Sequence, residues 1–152
     1  VSCIFAYTVC LFVLRGDNNS MSDDKVYSAL IIDSDDKNLD VLSDYLEAAG
    51  LSVMTVPDGE SALDVLGNTD YNFDVVFLDW AMVGISGLAV TQQVRSDARI
   101  KDLPIIMQTN KASDQERLKC SEAGADFYLS KPFDEGTFLA ALESTIPSAS
   151  LG

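Results

Sequence analysis

Four side chains far apart in the sequence, Asp33, Asp79, Thr109 and Lys131, each stand at or just past the end of a short apolar run, and together they form a reactive set. Carboxylates supply the hard oxygen ligands that Mg2+ prefers, in a site with few protein ligands and room for phosphate oxygens. A carboxylate can also act as a nucleophile and form an acyl phosphate, provided that the gathering negative charge is neutralised. Lys131 offers a point charge for phosphoryl oxygens, and Thr109 a hydroxyl that can donate to another of them. Taken singly, each has an ordinary explanation: an aspartate after a buried strand is a turn or N-cap residue, Lys131 a solvated lysine, Thr109 a strand end. The combination reverses that weighing, because Asp33 and Asp79 on neighbouring strands repel unless a cation or Lys131 neutralises them.

The elements that must position these groups follow from the pattern of apolar residues. From Val26 onward, short apolar runs bounded by turn residues alternate with amphipathic stretches, as in strand-helix units that fold into a parallel sheet. Ala29-Leu30-Ile31-Ile32 is continuous, as a strand covered on both faces requires, and stops at Asp33. Leu39, Leu42, Leu46 and Ala49 give a first helix one apolar face, closed by Gly50. A strand over residues 52–56 leads through Pro57-Asp58-Gly59 to a helix over 60–66, with Ala62, Leu63 and Leu66 inward. The central strand takes residues 73–78 and terminates in Asp79. A third helix is predicted over 88–94, and a fourth strand over 104–108 ending at Thr109. The fourth helix begins at Ser113, an N-cap with Glu116 in capping-box position, and ends at Ala123-Gly124. A strand over 127–129, stopped by Lys131-Pro132, precedes a last helix over 135–146 that carries Phe138, Leu139, Leu142 and Ile146 on one face. The expected fold is α/β, a doubly wound five-stranded parallel sheet flanked by five helices. In such a sheet the carboxyl ends of the strands open into one crevice, so the four chemical residues should meet there.

Composition narrows the function. The 152 residues are 47% apolar and 9% aromatic, enough for one domain with a full core. The net charge of −14, with no His, repels nucleic acid and anionic membranes and suits a cation or a basic protein partner. Cys3, Cys10 and Cys120 lack the count and spacing of a disulfide framework or zinc site, and read as free thiols in the reducing cytoplasm. Residues 1–22 read as an extension outside the domain, a cloning or start-site remnant. Their apolar stretch falls short of the ~20 residues of a membrane-spanning helix and lacks a basic flank, and Met21-Ser22-Asp23-Asp24 looks like a natural start. The domain is expected over 23–148, followed by a short tail over 149–152. Arg15 and Asp17 cancel, so the acidity belongs to the domain itself.

On these residues the sequence resembles the receiver domains of two-component response regulators. Phe77-Leu78-Asp79-Trp80-Ala81-Met82-Val83-Gly84-Ile85-Ser86-Gly87 is similar to that family's LDxxMPxxxG phosphoacceptor strand and loop, with Val83 in place of Pro. Pro104-Ile105-Ile106-Met107-Gln108-Thr109 resembles its fourth strand. Gly124-Ala125-Asp126-Phe127-Tyr128-Leu129-Ser130-Lys131-Pro132-Phe133 resembles its GAxxYLxKPF signature. The resemblance implies a flavodoxin-like (CheY-like) fold, with Asp79 as phosphoacceptor, Thr109 as switch hydroxyl, Tyr128 as switch aromatic and Lys131 as phosphate-binding lysine. It implies Mg2+ held by Asp33, Asp79 and the backbone carbonyl of Ala81, and a cis peptide before Pro132. The implied donor is a phosphohistidine on a sensor histidine kinase or phosphotransfer protein. The reader is a protein partner, or a second copy, at the face made by helix four, strand five and helix five. Beyond self-phosphorylation and autodephosphorylation no enzyme activity is implied. With only residues 147–152 after the last helix, a stand-alone receiver is expected rather than a transcription factor.

Two departures bear on this. The family has adjacent acids after its first strand, whereas this chain reads Asp33-Ser34-Asp35-Asp36, so a weaker Mg2+ site is expected, with water or Asp35 in the vacant place. Asn110 follows Thr109 where a small residue is common. Ser34 is also the best support for the rival, a pseudo-receiver that binds partners and is never phosphorylated. A haloacid dehalogenase-type phosphatase would need a second Asp where Ala81 stands, and a nucleotide or flavin site would need a Gly-rich or hydroxyl-rich loop in place of this acidic one.

Overall fold

A computed structural model of the chain describes residues 26–110 and 113–146. Cys3, Cys10, the predicted extension, the start at Met21 and the tail lie outside them. The elements in order are β1 (Ser28–Ile32), α1 (Asp36–Ala48), β2 (Ser52–Val56), α2 (Gly59–Gly67), β3 (Val75–Asp79), α3 (Gly87–Ser96), β4 (Ile105–Thr109), α4 (Asp114–Ala123), β5 (Phe127–Ser130) and α5 (Glu135–Thr145). The strands form one parallel sheet in the order β2-β1-β3-β4-β5, so the chain reverses its direction of travel across the sheet between β1 and β3.

Helix starts are set by side chains that accept from otherwise unpaired backbone N–H groups. Asp35, Asp58, Ser86, Ser113 and Asp134 cap α1, α2, α3, α4 and α5, and Ser113 forms the full capping box with Glu116. Ser86 and Asp58 draw α3 and α2 back to Gly87 and Gly59, one residue before the predicted starts. β3 is also shifted: Phe73 and Asp74 precede it. The Asp74 carboxylate accepts from the Ser28 N–H at 2.8 Å while its own N–H donates to the Ser28 carbonyl at 2.7 Å, fastening the entry to β3 onto β1. At its other end β3 includes Asp79, so the carboxylate belongs to the strand rather than to the loop beyond it.

Alternation sends the two halves of each strand to opposite layers. Ile31, Phe77 and Ile106 pack with Leu42, Leu46, Phe138 and Leu142 under α1 and α5, where the rings of Phe77 and Phe138 stack 4.5 Å apart. Leu30, Ile32, Val76, Leu78 and Met107 pack with Ala62, Leu66, Val90, Val94 and Cys120 under α2, α3 and α4. Leu63 and Leu139, predicted inward, are only partly buried. Arg95 ties the far end of the sheet, donating to the carbonyls of Gly124, Lys101 and Leu103 and to Asp126, whose carboxylate also accepts from the Ile105 N–H.

The turn after β3 depends on a close approach. The Gly87 N–H donates to the Trp80 carbonyl at 3.2 Å, and a Cβ on Gly87 would collide with the Asp79 carbonyl oxygen. Gly87→Ala is therefore expected to lower stability by about 1–3 kcal/mol, as overpacking does. Urea denaturation of the two proteins checks this.

Candidate functional site

Backbone hydrogen bonds fix the strand ends before any side chain is considered. The Asp33 N–H donates to the Val56 carbonyl at 3.3 Å, Trp80 to Gln108 at 2.8 Å, and Lys131 to Thr109 at 2.8 Å. These bonds continue the strand ladders by one residue, so each chemical side chain leaves a pinned backbone.

Asp33, Asp79 and Lys131 converge on one cleft of about 440 Å³, whose lining also includes Ser34, Asp35, Ala81 and Asn110. The Lys131 ammonium lies 2.9 Å from Asp33 Oδ2 and 3.4 Å from Asp79 Oδ1. Both carboxylates are buried, Asp33 being 1% and Asp79 6% exposed, so the ion pairs operate where water screens weakly. Asp33 is further held by the N–H of Asp35 at 2.9 Å and by the Asn38 side-chain amide. Asp79 has fewer partners. Burial pushes its pKa above the ordinary carboxylate value; the Lys131 charge opposes that, Asp33 adds to it, and bonds from Lys131 and the Ala81 backbone lower it again.

Of the remaining predicted site residues, Asp35 and Ala81 line this cleft, whereas Thr109 and Tyr128 do not. Asp35 lies on the rim, where its carboxylate caps α1 by accepting from the Lys37 N–H at 3.0 Å. Thr109 is buried at the end of β4, and Tyr128 is half-buried on β5, hydrogen-bonded to Thr109 and with the Arg117 guanidinium 5.5 Å from its ring centre. Burial raises the Tyr128 pKa, helped by Cys120 and Glu116 and opposed by Arg117 and by the Thr109 bond. The Lys131-Pro132 peptide is cis. Among the described residues no group of three or more His, Cys, Asp or Glu side chains forms a metal-binding cluster. None of their helices is long and apolar enough to cross a membrane. Asn38, a partner of Asp33, was not legible in the sequence: a polar residue in the first turn of a helix carries no mark of the side chain it will reach.

Residues 29–143 match the family model for the response regulator receiver domain. The DNA-binding dual master transcriptional regulator RpaA of Synechocystis is 35% identical over 119 residues, a match covering 77% of this chain and 48% of that protein. The chain spans about half the length of RpaA and of several further curated relatives. The chemotaxis response regulator CheY4 of Vibrio cholerae has a structure with a TM-score of 0.75 and 29% identity, covering 80% of this chain and 99% of that one. The receiver domain of the sensor histidine kinase PA1611 of Pseudomonas aeruginosa, solved with a magnesium ion coordinated in its active-site cleft, gives 0.74 and 26%, covering 82% and 100%.

Two outcomes follow from the geometry. Lys131→Ala leaves two buried carboxylates without their cation and should cost about 3 kcal/mol, whereas Asp79→Asn removes the excess charge and should raise the urea midpoint. Cys120 is buried on α4, and burial with Glu116 pushes its thiol up to about 11. At about pH 8 only roughly a thousandth is thiolate, so iodoacetamide should leave the Cys120 peptide unlabelled in the native protein and label it in urea, as read by peptide mass spectrometry.

Proposed function

This chain belongs to the response regulator receiver domain family, and we propose that Asp79 is the residue on which it takes up a phosphoryl group. The observation that carries the proposal is the Asp79 carboxylate at the end of the central strand, within 3.4 Å of the Lys131 ammonium and open to the cleft shared with Asp33. An oxygen of Asp79 attacks the phosphorus of a phosphohistidine on a sensor kinase or phosphotransfer protein. The new O–P bond forms as the P–N bond breaks, and the imidazole nitrogen keeps the electron pair. Lys131 pairs with one phosphoryl oxygen, and the Thr109 hydroxyl donates to another.

The residues present fit a divalent cation. Asp33, Asp79 and Ala81 line one cleft, where the two carboxylates and the Ala81 carbonyl would serve as hard oxygen donors, with Ser34 and Asp35 beside them leaving places for water or one more carboxylate. Magnesium in the cleft of the PA1611 receiver supports Mg2+ as the ion. When bound, it supplies neutralisation of the charge that gathers between carboxylate and phosphoryl group. The site needs no third carboxylate, since Mg2+ keeps waters and takes phosphate oxygens as ligands. Ser34 therefore weakens the ion's hold without removing it, and the pseudo-receiver reading gains no support.

Phosphorylation then acts as a switch. A phosphoryl group that draws the Thr109 hydroxyl competes with Tyr128 for it, and Tyr128 lies against α4, so the message leaves at the face of α4, β5 and α5. A protein partner or a second copy reads that face. The charge of −14 disfavours direct contact of this domain with nucleic acid or anionic membrane. The domain turns over no substrate beyond its own phosphoryl group. Its setting is the cytoplasm, in keeping with the free thiol of Cys120.

With Mg2+ and acetyl phosphate, intact-mass spectrometry should show the gain of one phosphoryl group on the wild-type chain and none on Asp79→Asn; an unchanged wild-type mass would overturn the proposal. Thr109→Ala should still load, but about tenfold more slowly, the worth of one charge-assisted hydrogen bond.

A further inference from the structure

Every residue of β4 is buried, and four of the five have an evident reason to be there: Ile105, Ile106 and Met107 fill the core, and Thr109 is hydrogen-bonded to Tyr128. Gln108 is different. It is fully buried, and neither its amide oxygen nor its amide nitrogen has a hydrogen-bond partner among the described residues. An aliphatic side chain of similar volume would occupy the same space without stranding two polar atoms, and stranding them costs stability.

Its place in the sheet supplies a reason. Gln108 is in register with Asp79 on one side and with Leu129 on the other. In-register residues of parallel strands project to the same face, so Gln108 stands beside Asp79 on the face covered by α1 and α5. Lys131 follows Leu129 by two residues and so leaves β5 on that face, yet its ammonium ends on Asp79 and Asp33, beyond β4. Its side chain must therefore cross β4 near Gln108 and Asn110. Asn110 is exposed, where water competes for its amide; Gln108 is not.

We propose that Gln108 is a positioning residue for Lys131. Its Oε1 is the acceptor that holds the ammonium over the cleft when Asp33 and Asp79 give their oxygens to a cation, leaving the other N–H donors for a phosphoryl oxygen. An ammonium has three donors; two are on Asp33 Oδ2 and Asp79 Oδ1 in this structure, and an ion in the cleft would compete for both oxygens. The buried amide thus forgoes stability in the unloaded protein and finds its partner in the loaded one. The inference rests on Asp79 as phosphoacceptor and deepens that reading.

Trp80, the one tryptophan of the chain, directly follows Asp79, and its fluorescence is the readout. The full chain is titrated with Mg2+ alone as wild type, Gln108→Met, Lys131→Met and the double variant, each checked for folding by its urea midpoint. Gln108→Met keeps the volume and loses both polar atoms, so its midpoint should rise while its Mg2+ affinity falls about fivefold, the net worth of one hydrogen bond. In the Lys131→Met background the same substitution should leave the affinity unchanged. Equal affinity in wild type and Gln108→Met would overturn the role of Gln108 alone, as would a loss that persists undiminished without Lys131. No response to Mg2+ even in wild type would overturn the cation site and this inference with it. Should Lys131→Met not fold, loading of Gln108→Met by acetyl phosphate decides: about fivefold slowing supports the role, and an unchanged rate overturns it.

Discussion

Two carboxylates and one ammonium share a largely buried cleft, and their charges do not cancel. Lys131 can neutralise one of Asp33 and Asp79 but not both, so the cluster keeps an excess negative charge in a place where water is scarce. Burial, with Asp33 adding to it and Lys131 opposing it, raises the pKa of Asp79, and the excess negative charge makes the cleft attractive to a cation. Much of the remaining structure can be understood as the apparatus that keeps three mutually dependent groups from drifting apart.

That apparatus is mainly backbone. Parallel pairing brings the carboxyl ends of β1, β3 and β4 to one rim, and the ladders run one residue past the strands to pin Asp33, Trp80 and Lys131. Gly87 lets α3 start against the carbonyl of Asp79, closing the loop that delivers Ala81 to the cleft. Stacked Phe77 and Phe138 anchor β3 to α5 just below Asp79. The edge of β5 and α4 is held less tightly: Tyr128 is half-buried, and α4 contributes only Cys120 to the buried core. A tightly held centre beside a lightly held edge is the distribution of stability that the proposed two-state readout requires.

Much of this could be read from the sequence, for physical reasons that differ by feature. The continuous apolar runs ending in Asp33, Asp79 and Thr109 announce buried parallel strands, and the topological rule for such sheets then brings their ends together. Ser113 and Glu116 carry their capping geometry in their spacing, and Gly50 its left-handed backbone, which the φ of +91° bears out. What could not be read depends on distances between elements rather than along them. The earlier helix starts at Gly59 and Gly87, one residue each, follow from caps whose backbones had to be seen. Asp74, predicted as strand, is a clamp because its carboxylate meets Ser28, far away in the chain. Asn38 and Gln108 look like ordinary polar residues until the register places them against Asp33 and Asp79.

The claim beneath the whole account is that the folded cleft holds an uncompensated charge which a cation relieves. Equilibrium urea denaturation at increasing Mg2+ concentration measures this directly, because a ligand that binds only the native state raises its stability by mass action. The account predicts that the midpoint of the wild-type chain climbs steadily with Mg2+, and that Asp33→Asn flattens the climb. A wild-type midpoint indifferent to Mg2+, or one that rises equally in Asp33→Asn, would contradict it.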